Sequence, residues 1–162
     1  MSVWFCSDLH FGHKNIEKFR SHVSSEEDNR NKIKIGWCKL VTKRDDVYVL
    51  GDACFTTETL PDFGELPGRK FLIRGNHDRL DCGAYLKYFH EVYGLLRYKE
   101  FWLSHAPIHP DELRGKYNLH GHVHYHSLPD SRYFNCCVEN VYKLYNRSLI
   151  RLEEIRETML GH

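Results

Sequence analysis

Short unbroken apolar runs recur along the front half of the chain, and each is closed by a polar cluster. Val3-Trp-Phe-Cys6, Val47-Tyr-Val-Leu50 and Phe71-Leu-Ile73 are too short for helices and read as strands covered on both faces. Between the first two, Ser24 with Glu27 makes a capping-box pattern at a helix start. Ile33, Trp37, Leu40 and Val41 then recur at i, i+4, i+7 and i+8 and form one apolar helical face. Helical spacing also covers Asn15 to Phe19 and Leu80 to Phe89, whereas Asp45-Asp46 reads as a turn. Pro61, Gly64, Pro67 and Gly68 punctuate a loop with room for one helical turn.

Beyond residue 90 the pattern changes to strands around Val92–Tyr98, Phe101–Ser104, Tyr117–His120, Tyr133–Val138 and Ser148–Leu152. Alternation of strand and helix implies parallel strands with crossovers, and consecutive strands imply antiparallel pairing. The expectation is one α/β domain over residues 1–162 with mixed sheets.

Composition narrows the class. The 162 residues carry 23 Lys+Arg against 22 Asp+Glu, with 41% hydrophobic and 28% charged residues. That is an ordinary globular balance, and it lacks the basic excess that a long nucleic-acid footprint usually brings. No apolar run approaches the ~20 residues needed to span a bilayer. The N-terminus shows neither a basic n-region nor a long apolar h-region. The six cysteines form no CxxC pair, so free thiols in a reducing cytoplasm are expected. The histidine count, 12, is the unusual figure.

Many of those histidines fall where strands end. Asp8-Leu-His10 follows the first strand, Gly51-Asp52 the second and Gly75-Asn76-His77-Asp78 the third; Ser104-His105-Ala-Pro107 and Gly121-His122-Val-His124 follow later ones. Ligand sites of α/β sheets gather beyond the carboxyl ends of strands. The five clusters therefore point to one site built from distant segments. Mixed imidazole and carboxylate donors suit Mn, Fe, Co, Ni or Zn, whereas an all-oxygen set would suggest Mg or Ca. Seven candidate ligands exceed what one tetrahedral ion needs, and two ions sharing a carboxylate would use them all. Such a pair attracts phosphate and clamps an in-line displacement at phosphorus.

All five blocks, in order from residue 8 to 124, resemble the calcineurin-like metallophosphoesterase superfamily. The stretch Phe5 to Ile16 resembles a small branch common in bacteriophages and bacteria, and Phe134 to Ile155 resembles its closing strands. The resemblance implies a four-layer αββα sandwich of two mixed β-sheets. It implies Asp8, His10, Asp52 and His124 around one divalent ion, and Asp52, Asn76, His105 and His122 around a second, with Asp52 bridging. It implies a nucleophilic hydroxide between the ions, with His77 near the phosphate as transition-state stabiliser or acid. The activity implied is hydrolysis of a small or nucleotide-like phosphodiester, with manganese the favoured metal and Fe, Ni, Zn and Co alternatives.

The alternatives on the same site are a phosphomonoesterase, a single-strand nuclease and a non-enzymatic scaffold. The family's protein phosphatases extend the second block as GDxVDRG. Here it reads Gly51-Asp52-Ala-Cys-Phe55, which lacks their arginine and second aspartate. Arg69, Lys70, Arg97 and Lys99 are too dispersed to establish a basic groove. Further candidates are His13, beside a helix start that would favour an anion, and Arg74, as a phosphate grip or a structural ion pair. Asp78 is expected to hydrogen-bond a neighbouring loop or to cap the next helix, the cap being favoured; Cys54 is expected to be a buried apolar residue, and Cys136-Cys137 to be inert. His90, His109, His120, His126 and His162 are given no role, His109 being the best candidate among them for the rim.

Overall fold

Alternation within each strand decides the architecture. In the computed structural model, which describes residues 1–161, the first three strands are Val3–Cys6 (β1), Asp46–Val49 (β2) and Arg69–Ile73 (β3). Trp4, Cys6, Val47, Val49 and Leu72 face a core shared with the helix Glu26–Leu40 (α1), whose Ile33 and Trp37 are buried in it. Val3, Phe5, Tyr48, Phe71 and Ile73 face the opposite way, against a second sheet. A strand with both faces packed must be apolar throughout, which is why these runs show no polar alternation.

Glu91–Tyr93 (β4) and Ile150–Arg151 (β9) complete the first sheet, in the order β4-β3-β2-β1-β9, with only β9 antiparallel to its neighbour. The second sheet runs in the order β5-β6-β7-β8: Leu96–Tyr98 (β5), Phe101–Leu103 (β6), Tyr117–His120 (β7) and Tyr133–Asn135 (β8). β5 is antiparallel to β6, while β6, β7 and β8 are parallel. The two mixed sheets pack through Phe101, Leu103, Leu119 and Phe134 against the inner residues of β1–β3, with helices flanking them. On the outer face, Trp102, Asn118 and Tyr133 lie in register. The crossover from β6 to β7 covers them: Trp102 Nε1–H donates to Leu113 O, and the Tyr133 hydroxyl to Ile108 O.

Several expectations are corrected. The Asn15–Phe19 segment is a three-residue 3-10 turn, Ile16–Lys18. Ser25, not Ser24, caps α1, accepting from Asp28 N–H at 3.0 Å. The loop after β2 carries one turn, Asp62–Glu65 (α2), and Leu80–Phe89 keeps only Cys82–Tyr85 (α3) as helix. The span Val92–Tyr98 divides between β4 and β5, which belong to different sheets. The strand expected to reach Val138 stops at Asn135, and Val138–Tyr145 is a helix (α4). The closing stretch is the two-residue β9 followed by a helix, Leu152–Leu160 (α5). Consecutive strands β6, β7 and β8 are parallel rather than antiparallel because their connections cross back over the sheet. His162 lies outside the described residues. No described helix is long and apolar enough to cross a membrane.

Candidate metal centre

The carboxyl ends of β1, β2, β3, β6 and β7 bring all seven candidate ligands to one end of the sheets. The loops that carry them are zipped together by backbone bonds: Asp8 N–H to Gly51 O at 3.0 Å, His10 N–H to Asp52 O at 3.0 Å and Gly121 N–H to His105 O at 2.7 Å. Asp8, His10, Asp52, His122 and His124 all have positive φ, between 51° and 73°. That left-handed conformation costs a non-glycine residue about 1 kcal/mol or more and persists only where surrounding contacts enforce it. Here it turns side chains inward at points where a strand would continue straight. Glycine serves a different need at positions 75 and 121. A Cβ on Gly75 would strike Asp52 Oδ1, and one on Gly121 would strike Ser7 Oγ and Asp8 Oδ2 at 2.5 Å.

In each carboxylate one oxygen is held by groups outside the imidazole cluster and the other faces its rings. Asp8 Oδ2 accepts from Ser7 Oγ–H at 2.6 Å, His122 N–H at 2.8 Å and Cys137 Sγ–H at 3.1 Å. Its Oδ1 faces His10 Nε2 at 3.4 Å and His124 Nε2 at 3.6 Å. Asp52 Oδ1 accepts from His77 N–H at 2.9 Å. Its Oδ2 faces His10 Nε2 at 3.6 Å and His105 Nε2 at 3.5 Å, so it looks toward both halves of the site. On the far side, Asn76 Oδ1 lies 2.8 Å from His105 Nε2 and 3.1 Å from His122 Nδ1, and those two ring nitrogens are 3.2 Å apart.

Outer contacts set the tautomers. His105 Nδ1–H donates to Leu50 O at 2.8 Å, and His124 Nδ1–H to Glu139 Oε1 at 3.0 Å. In the neutral ring each Nε2 therefore carries a lone pair aimed into the site, as ligating histidines require. Glu139 is buried and also accepts from Arg20 Nε–H at 2.7 Å. Arg20 is fully buried; it donates to Leu9 O, to Asp8 O and to Asn29 Oδ1 at 2.8 Å. With the rings neutral, ring lone pairs, two carboxylate oxygens and an amide oxygen converge on one small space. That donor set fits divalent cations. Asp8 with His10 and His124, and Asp8 with Asp52 and His105, each bring ligand atoms within 4.8 Å of one another.

The charges follow from the same contacts. Burial alone would raise Asp8, but hydrogen bonds from His10 and Ser7 and the charge on His105 hold it well below the usual carboxylate range. Burial pulls His10 down despite Asp8 and so favours its neutral form. Burial also pulls on His105, but the Asp52 hydrogen bond and the Asp8 charge outweigh it and raise that ring to about 9. The Glu139 hydrogen bond raises His124. Cys137, pushed far up by burial and Asp8, remains a thiol that donates to Asp8.

The other candidates are placed as follows. His77 lines the cleft outside the ligand cluster, its ring stacked on Phe55 at 4.6 Å and 25°. His13 also lines it, edge-on to Phe55 at 4.9 Å. Arg74 is a correction. Its guanidinium donates to Asp78 O at 2.7 Å and Leu80 O at 2.6 Å and lies over the Tyr85 ring, so it neither grips the site nor forms an ion pair. Asp78 is another: it caps no helix. Its carboxylate accepts from Asp52 N–H, Ala53 N–H and Gly75 N–H at 2.8–2.9 Å and ties the β2 and β3 loops together. Cys54 is buried, as expected. Sequence reasoning missed Arg20, Glu139 and Asn29; their only signal is charged or amide side chains at positions that turn out to be buried.

Two mixed sheets with imidazole, carboxylate and amide donors at their carboxyl ends form a candidate centre for divalent ions, the arrangement of a metal-dependent phosphoester hydrolase. Residues 1–155 match the family model for the calcineurin-like phosphoesterases, and the chain belongs to that family. It is 31% identical to the Gene 66 protein of Mycobacterium phage L5 over 160 residues, covering 76% of this chain and 77% of that one. An uncharacterized protein of Methanocaldococcus jannaschii, MJ1445, is 32% identical over 142 residues, covering 82% and 75%. Among solved structures, the protein of unknown function AQ665 from Aquifex aeolicus superposes with a TM-score of 0.75 at 27% identity, covering 96% of this chain and 98% of that one.

Proposed function

We propose that this chain is a single-domain phosphodiesterase that uses two divalent ions sharing Asp52. The observation that carries the reading is Asp52 Oδ2, which faces a histidine of each half of the site at 3.5–3.6 Å while its partner oxygen is already bonded. Asp8, His10 and His124 would hold the first ion with Asp52; Asn76, His105 and His122 would hold the second with it. Manganese is the first metal to test, since Asp8, Asp52 and Asn76 supply hard oxygen donors beside the imidazoles. When bound, the ions would supply an activated water and positive charge for the phosphoryl oxygens.

The side chains perform the remaining work. Ser7, Cys137 and the His122 N–H orient Asp8, while Glu139 orients the His124 imidazole and Leu50 O the His105 imidazole. His77, supported by its backbone bond to Asp52 and its stack on Phe55, would protonate the leaving oxygen. Among the described residues, no lysine or arginine lines the cleft. That favours a diester, which carries one charge on phosphorus, over a monoester dianion, and it weighs against a nuclease, which needs a basic track. The six free thiols accord with a cytoplasmic location.

The test is hydrolysis of bis-p-nitrophenyl phosphate by the Mn²⁺-loaded protein and by Asp52→Asn. Wild type should turn over the diester faster than p-nitrophenyl phosphate, and the variant should lose turnover while staying folded. Undiminished turnover by the variant would refute the shared carboxylate.

A further inference from the structure

Resting on the hydrolase reading, we propose that Phe19 and Tyr125 form an aromatic clamp. Its ligand is the flat ring of a nucleoside phosphodiester that carries one phosphate, and the nucleoside monophosphate, a product of its hydrolysis, is the probe. The cleft over the candidate ligands encloses about 660 Å³, far more than a phosphate group fills and within the range of small-molecule sites. Its floor is histidine with Glu139, whose charge is paired with Arg20, and its walls are Ile16, Phe19, Phe55, Val123 and Tyr125. Rings run without a break from the mouth to the chemistry: Phe19 to His13 at 5.7 Å, His13 to Phe55 at 4.9 Å and Phe55 to His77 at 4.6 Å. A group stacked at the mouth therefore belongs to the same molecule whose phosphate reaches the floor.

The clamp itself is bare but fixed. Phe19 is 61% exposed and Tyr125 57%, among the most exposed large apolar side chains described. Yet the Tyr125 hydroxyl donates to Phe19 O at 2.9 Å, which holds the two loops at a set separation. Two exposed rings whose segments are tied together by that bond lose little freedom when a ligand ring enters. The described lining holds no lysine or arginine, which leaves a second phosphate without a cationic partner. Flat apolar walls select a ring, and the missing cations limit the phosphates to one.

The test is calorimetric titration of the Mn²⁺-loaded full chain with ribose 5-phosphate, adenosine monophosphate and adenosine diphosphate. The first two have the same charge and differ by the base. Stacking should make the monophosphate bind about tenfold tighter or better, and the diphosphate should gain no more than about threefold over it. In the double variant Phe19→Ala, Tyr125→Ala, whose side chains are exposed, the tenfold ratio should fall below about threefold. Equal binding of the monophosphate and the sugar phosphate overturns the clamp, as does a ratio unchanged in the variant. A diphosphate bound tenfold tighter than the monophosphate overturns the single-phosphate limit. Failure of all three to bind in a Mn²⁺-dependent manner would instead sink the hydrolase reading, and the clamp with it.

Discussion

Glu139→Gln separates the support of one half of the site from the other. Glu139 Oε1 accepts from His124 Nδ1 at 3.0 Å and Arg20 Nε at 2.7 Å, and both Arg20 and Glu139 are buried. Losing one charge of a buried pair costs about 3–5 kcal/mol. Glutamine keeps the shape and one acceptor, and Arg20 keeps its bonds to Asp8 O, Leu9 O and Asn29, which argues for the low end, about 3 kcal/mol. At this chain length that is a fall in metal-free Tm of roughly 6–12 °C. Losing the carboxylate behind a ligating histidine costs about 10–100-fold in metal affinity. Only the ion on His124 should feel it, because His105 is held by the backbone carbonyl of Leu50. Scanning calorimetry in chelator gives the first number, and Mn²⁺ titration followed by the spectrum of free Mn²⁺ gives the second. An unchanged metal-free Tm, or equal loss at both sites, would refute the reasoning.

Three further outcomes are expected. Gly75→Ala should abolish Mn²⁺ binding, measured by the same titration, because the new Cβ strikes Asp52; Gly83→Ala, which meets nothing within 4 Å, is the control that should bind normally. His105 is protonated below about 9 in the metal-free site, so binding there must expel a proton. Affinity of that half should therefore rise about tenfold per pH unit below pH 9 and level off above it; a pH-independent affinity across this range would contradict the assignment. His77→Gln should lower kcat by about 10²–10⁴ with Mn²⁺ content unchanged, and loss of metal in that variant would make His77 a ligand instead.

The front of the fold was open to reading because its strands are buried on both faces and so stand out as apolar runs. The back was harder. α4 carries Val138, Val141, Tyr142 and Tyr145 at helical spacing, but it directly follows the strand-like Phe134-Asn-Cys-Cys137 stretch, and the two merge in a local reading. α5 shows Leu152, Ile155 and Met159 at the same spacing, masked by the preceding Leu149-Ile150. Nothing local reports that β6, β7 and β8 run parallel; that depends on how loops cross the sheet. The seven candidate ligands were visible because each closes a strand. Their supports were not: Arg20 and Glu139 meet across 119 positions, and Asp78 reaches back to residues 52 and 53. Contacts of that range leave no periodic trace.

The most direct measurement is anomalous scattering from crystals of the Mn²⁺-loaded protein. The expected result is two manganese peaks in bonding contact with Asp52 Oδ2. One should be ringed by Asp8, His10 and His124, the other by Asn76, His105 and His122. A single peak, or two that share no atom of Asp52, would contradict it.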